Sequence, residues 1–134
     1  MSEKNCIFCK FIKNEIKPVK IYEDEFCIAI LDKFPITKGQ ALVIGKTHTN
    51  YIFDLDDELY KHVFLVSKKI AKAIDAALNT QRTWILVQGM EVAHNHIKIL
   101  PIYKNIYINL NEGHGEEASD EELKEIAQKI KLQL

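Results

Sequence analysis

The 134-residue chain lacks a long hydrophobic run, an excess of either charge and a cysteine framework, and each absence removes a class of function. No stretch approaches the roughly 18–20 apolar residues that span a bilayer, and the polar start Met1-Ser2-Glu3-Lys4-Asn5 is not followed by the apolar core of a signal peptide. The expectation is a soluble cytoplasmic protein with no membrane partner. With 18 basic residues against 19 acidic ones, the formal charge of -1 gives no basic footprint for nucleic acid. Three cysteines, an odd number, argue against a disulfide scaffold and point to metal or redox chemistry. Internal repeats and low-complexity segments are missing as well. A chain that is 47% hydrophobic and 28% charged suits a single domain over residues 1–134 with a real core.

What is present begins with Cys6-Ile7-Phe8-Cys9, a C-x-x-C knuckle opening a short helix through Phe11 and Ile12. A thioredoxin-like redox pair would need a preceding strand, which five polar residues do not supply, so metal moves ahead. Val19 to Leu31 reads as a hairpin around the acidic turn Glu23-Asp24-Glu25. Its second strand is apolar on both faces, which makes Cys27 a small buried hydrophobe. That strand ends at Asp32, either a turn cap or an acceptor for a ligand hydroxyl such as a ribose. Ala41-Leu42-Val43-Ile44 is a central strand, followed by a loop bearing His48.

Asp54 or Asp56 caps a long helix through about Leu78, whose apolar residues recur every three or four positions from Leu59. His62 lies off that stripe and is assigned to the solvated face. A strand at Trp84-Ile85-Leu86-Val87 follows. Ile106-Tyr107-Ile108-Asn109-Leu110 alternates like an edge strand, His114 falls in a solvated Gly-flanked loop, and Ser119-x-x-Glu122 opens a last helix through about Ile130.

The most informative stretch is Val92-Ala93-His94-Asn95-His96-Ile97-Lys98-Ile99-Leu100-Pro101. Read as a strand, it puts His94, His96 and Lys98 on one face, each roughly 6.6 Å from the next, close enough to share a small anion. Unpaired polar groups on a buried face cost about 1–3 kcal/mol each, so they imply partners. The cysteine pair and two separated histidines form the donor set of a tetrahedral zinc site, with Cys6, Cys9, His48 and His94 as candidates, although spacing alone does not choose two of five histidines. With His94 committed to metal, His96 remains as a neutral imidazole able to attack phosphorus, and Lys98 as a cation for a phosphoryl group. The bland reading has both imidazoles satisfied by carbonyls or metal and chemically idle.

Taken in order, Cys6-x-x-Cys9, Tyr22-Glu23-Asp24, Ala29-Ile30-Leu31-Asp32-x-x-Pro35, Gly39-Gln40-Ala41-Leu42-Val43-Ile44-x-Lys46-x-His48 and Val92-x-His94-x-His96-x-x-x-x-Pro101 resemble the histidine-triad (HIT) family of nucleotide hydrolases and transferases. The resemblance covers about residues 6–101 and leaves 102–134 as a C-terminal extension. It implies an α+β fold with a five-stranded antiparallel sheet, one long helix and a C-terminal helix, in a homodimer. It further implies a purine nucleotide ligand, with Ile16 and Ile30 on the base, Asp32 on the ribose and Gln40 at the same site. His96 would attack the α-phosphate of a nucleoside phosphoramidate or dinucleoside polyphosphate, and Cys6, Cys9, His48 and His94 would hold a structural zinc. Two departures stand out. Lys98 replaces the family's third histidine as the second catalytic group, and it is a poor proton donor unless its pKa is strongly lowered. Gln40 replaces another histidine. The alternative is therefore a zinc-stabilised nucleotide-binding module with little or no catalysis.

Overall fold

The computed structural model describes residues 2–134, apart from the side chain of Glu112. Five strands form one antiparallel sheet: β1 (Lys20–Glu23), β2 (Cys27–Leu31), β3 (Ala41–Gly45), β4 (Arg82–Leu86) and β5 (His96–Ile102), in the order β1-β2-β3-β5-β4. Strands β2 and β3 are buried along their whole length because both faces are covered. This explains why they read as continuous apolar runs and not as alternating ones.

On one face lie α2 (Asp57–Leu78) and α3 (Asp120–Lys131), packed over Ala29, Val43, Ile97 and Ile99. The Asp56 side chain caps α2 by accepting from the Leu59 amide at 2.9 Å, and Asn79, in the left-handed region at φ 54°, ends it. Ser119 caps α3, which packs on α2 and β1. On the other face the six-residue α1 (Ile7–Ile12) lies over Ile28, Ile30, Leu42 and Ile44. A helix that short has little stability of its own, so its place depends on what holds its ends.

Two expectations change. Residues 106–110 form no strand. Asn105 turns at φ 66°, Ile106 and Tyr107 are exposed, and β5 is already paired on both edges, by β3 and β4, so the alternating segment has no partner there. His62 is not on a solvated face. It is half-buried, its Nε2 lies 2.6 Å from Asp24 Oδ2, and its ring meets Phe26 edge-on. Asp24 is the corner of the β1-β2 hairpin and also accepts from the Tyr22 hydroxyl and the Phe26 and Cys27 amides. Burial pushes its carboxyl up, but these bonds outweigh it and hold the group well below the usual carboxylate range.

Candidate active site and metal centre

Strand β5 begins at His96, not His94, so the three polar residues do not share one strand face. His94 lies in the bend before the strand, and its ring joins the knuckle at the end of α1. Cys6 caps α1, its Sγ accepting from the Cys9 amide at 3.5 Å, which brings both thiols to one side. Cys6 Sγ is 3.4 Å from His94 Nδ1, Cys9 Sγ is 3.2 Å from His48 Nδ1 and 3.5 Å from His94 Nδ1, and the two Nδ1 atoms are 3.1 Å apart. Ligands on a tetrahedral zinc at ordinary Zn–S and Zn–N lengths stand about 3.3–3.8 Å apart, so these four donors fit such an ion.

The second ring nitrogen supports that fit. His94 Nε2 lies 2.6 Å from the Gly45 carbonyl, which can only accept, so Nε2 carries the proton and Nδ1 presents its lone pair to the knuckle. Burial pushes the His94 pKa down, favouring the neutral ligand form. Burial and the adjacent Cys6 push the Cys9 thiol up to about 11, a shift that a coordinated divalent ion would reverse. Asn95 supplies the loop. Its Nδ2 donates to the carbonyls of Thr47 at 2.8 Å and Thr49 at 3.1 Å, and its backbone amide donates to Thr49 at 2.7 Å, which sets His48 in place. Gly45 is required here because a Cβ would collide with the Asn95 amide.

Beside the knuckle opens a cavity of about 480 Å³, a size suited to a small organic ligand. Its lining combines apolar Phe8, Phe11, Ile16, Ile30 and Leu42 with polar Asp32, Glu91, His96, Lys98 and His114. Phe8 links the two centres, its ring edge-on to His94 at 5.9 Å and to His96 at 4.9 Å. Asp32 caps a turn and also lines the cavity. Its Oδ1 accepts from the Phe34 amide at 2.9 Å in a turn, and Oδ2 accepts from Gln40 Nε2 at 2.9 Å, at the cavity wall. Gln40 does not line the cavity; it is buried behind Asp32, with Oε1 accepting from the Ile36 amide at 2.8 Å.

His96 uses the opposite nitrogen from His94. Its Nδ1 donates to the His94 carbonyl at 2.6 Å, which leaves Nε2 with a lone pair and no partner among the described residues. Burial, and then the Lys98 ammonium, push its pKa down, so the ring is neutral near pH 7. Lys98 is buried too. Among the described residues its Nζ donates only to neutral oxygens, Gln88 Oε1 at 3.2 Å and the Gly113 carbonyl at 3.3 Å.

Gly113 and His114 line the cavity, and the residues after them are tied to the Lys33–Pro35 turn. The Gly115 amide donates to Phe34 at 2.9 Å and the Ala118 amide to Lys33 at 2.8 Å, while a Cβ at Gly115 would collide with the Pro35 carbonyl. His114 is exposed, as expected of a loop residue, yet it belongs to the cavity mouth, its ring 6.1 Å from Phe34. Neither this wall nor Phe8 stood out in the sequence. The glycines flanking His114 were the available signal for close backbone approach.

Three similar proteins fit this geometry. The solved Hit-like protein of Bartonella henselae superposes with a TM-score of 0.89 at 33% identity, covering 98% of this chain and 97% of that one. A zinc-bound histidine triad protein of Mycobacterium smegmatis gives a TM-score of 0.84 at 25% identity over 98% of this chain and 94% of that one. An adenosine 5'-monophosphoramidase of Schizosaccharomyces pombe is 37% identical over 72% of this chain and 74% of that protein. The family model of the HIT domain matches residues 13–105, and with the sheet, the histidine pair and these relatives in agreement, the chain belongs to the HIT family.

Proposed function

We propose that the protein is a nucleotide hydrolase or transferase acting at an α-phosphate through a nucleotidyl-histidine on His96. The observation that carries this reading is the His96 ring, held by its Nδ1–H bond to the His94 carbonyl so that the Nε2 lone pair faces a cavity shared with the Lys98 ammonium. Nε2 attacks phosphorus and forms the P–N bond to the ring as the leaving group departs. Water then attacks the same phosphorus, releasing the nucleotide and restoring the imidazole. Lys98 offsets the charge on the phosphoryl oxygens. In this reading the apolar lining with Ile16 and Ile30 accepts a purine, and Asp32, steadied by Gln40, accepts from ribose hydroxyls. The phosphoramidase relative makes nucleoside phosphoramidates, alongside dinucleoside polyphosphates, the substrates to try.

Zinc, held by Cys6, Cys9, His48 and His94, is structural in this reading. All four positions are filled by protein donors, so no place is left for water or substrate, and the ion would anchor α1 and its Phe8 and Phe11 against the cavity. A homodimer is part of the same reading, because the edge strand β4 is unpaired on one side and leaves Trp84, Ile85 and Val87 exposed. Light scattering should return twice the chain mass, falling to the monomer in Trp84→Lys; a monomeric wild type refutes the dimer.

The test of the catalytic reading is steady-state hydrolysis of an adenosine phosphoramidate. His96→Ala should lower kcat at least about a thousandfold while the far-ultraviolet spectrum and bound zinc stay unchanged. Full activity in that variant would remove the mechanism.

A further inference from the structure

The cavity is not built for a polyanion. Its lining carries Lys17, Lys33 and Lys98 against Asp32, Glu91 and Asp120, so the formal charges cancel. Lys33 is engaged with other acids, 3.4 Å from Glu117 and 3.8 Å from Asp120. Lys98 is the cation on the strand that bears His96, and one ammonium can offset about one phosphate charge. A dinucleoside polyphosphate would bring several negative charges to this cavity and expel a leaving group that is itself a polyanion.

Glu91 adds to the mismatch. It is exposed, and among the described residues it makes no hydrogen bond or ion pair, so its carboxylate is not committed to the fold. It lies against Gly113, where a Cβ would collide with it, and the Gly113 carbonyl is one of the two acceptors of Lys98. An uncommitted carboxylate lining the same cavity as the nucleophile and its cation repels anionic leaving groups and attracts N–H donors and cations.

We infer that Glu91 is a specificity-determining residue, one that selects substrates whose leaving group on the α-phosphorus is an amine and rejects phosphoanhydrides. This rests on the hydrolase reading of His96 given above. In the selected reaction the leaving nitrogen carries an N–H that Glu91 accepts. As His96 Nε2 bonds to phosphorus, the P–N bond to the substrate breaks and its electron pair goes to the nitrogen. That nitrogen takes a proton from solvent and departs as a neutral or cationic amine, favoured by the adjacent carboxylate. Water then cleaves the histidine–phosphorus bond, so the sum is phosphoramidate plus water giving nucleoside monophosphate plus amine. A phosphoanhydride offers no N–H at that position and places added negative charge against Glu91.

The experiment measures kcat/KM of the full, zinc-loaded chain for an adenosine phosphoramidate of a primary alkylamine and for diadenosine tetraphosphate, in wild type, Glu91→Gln and Glu91→Lys. Wild type should prefer the phosphoramidate. Glu91→Gln should lower that rate about tenfold and raise the tetraphosphate rate by a similar factor, and Glu91→Lys should move both further in the same directions. A merely structural role would lower both rates together. That outcome, an unmoved ratio, or a wild-type preference for the tetraphosphate would each overturn the assignment while leaving His96 chemistry intact. Failure of wild type to hydrolyse either substrate, so that it matches His96→Ala, would overturn the parent reading and this one with it.

Discussion

His94 and His96 are two residues apart, both buried, and each is pinned by a backbone carbonyl 2.6 Å away, yet they end in opposite chemical states. Gly45 takes the Nε2 proton of His94 and turns Nδ1 toward two thiols and a second imidazole. The His94 carbonyl takes the Nδ1 proton of His96 and leaves Nε2 open to the cavity. One centre is closed, with every donor directed at a common point; the other keeps a lone pair and an ammonium held by long bonds to neutral oxygens. The difference teaches that residue type does not separate a structural imidazole from a reactive one. Which ring N–H the backbone carbonyl accepts from does.

Breaking the closed centre should give the largest effect. Removing zinc with a chelator, or replacing Cys6 by Ser, leaves buried donors unpaired and releases α1, which as six residues cannot stand alone. Thermal melting should fall by at least about 10 °C, corresponding to roughly 3 kcal/mol or more for a domain of this size. Phosphoramidate turnover should fall with it because Phe8 and Phe11 no longer wall the cavity. A melting temperature indifferent to chelation would show that the knuckle carries no ion of structural weight.

A smaller effect is expected on the open side from Gln40→Ala. The substitution removes the bond that steadies Asp32 and leaves the half-buried Ile36 amide without its acceptor, a cost of about 1 kcal/mol. The role given to Asp32 sets the split in the kinetics. KM should rise about tenfold with kcat changed less, since ribose contacts bind ground state and transition state alike. An equal fall in kcat would mean that Gln40 also serves the reacting phosphate.

The smallest effect lies away from both centres, at Asp24, and sharpens the comparison as a control. Its folded pKa is depressed below the unfolded value of about 3.9, so its stabilisation is present above that pH and is lost as pH falls through the folded value. Wild type should melt a few degrees above Asp24→Asn at pH 6, and the gap should narrow below about pH 4. A gap independent of pH would mean that the network does not depend on the carboxylate charge.

The elements were legible where one periodicity dominated. The unbroken β2 and β3 runs and the apolar stripe of α2 had only one stable reading, and Ser119 with Glu122 marked α3. The segment 106–110 misled because alternation specifies a strand only when a sheet edge is available to pair with it. His62 misled because a residue off the apolar stripe can still be claimed by a distant group, here Asp24, 38 positions away. The four knuckle donors were named from sequence and lie together, but nothing in their spacing could state which ring nitrogen each histidine presents. Gln40 was placed with the ligand contacts, whereas its burial puts it one layer behind Asp32. Wall residues such as Phe8 and Gly113 act through shape and backbone approach, which leave little trace in a linear pattern.

The central claim is that His96 Nε2 forms a covalent bond to phosphorus before water does. The stereochemistry at that atom tests it without requiring the intermediate to accumulate. An adenosine phosphoramidate made chiral at the α-phosphorus with sulfur, hydrolysed in oxygen-18 water by the zinc-loaded wild type, should give a product with retained configuration, the result of two in-line displacements. Inversion would mean that water attacks the substrate directly, and it would contradict the account.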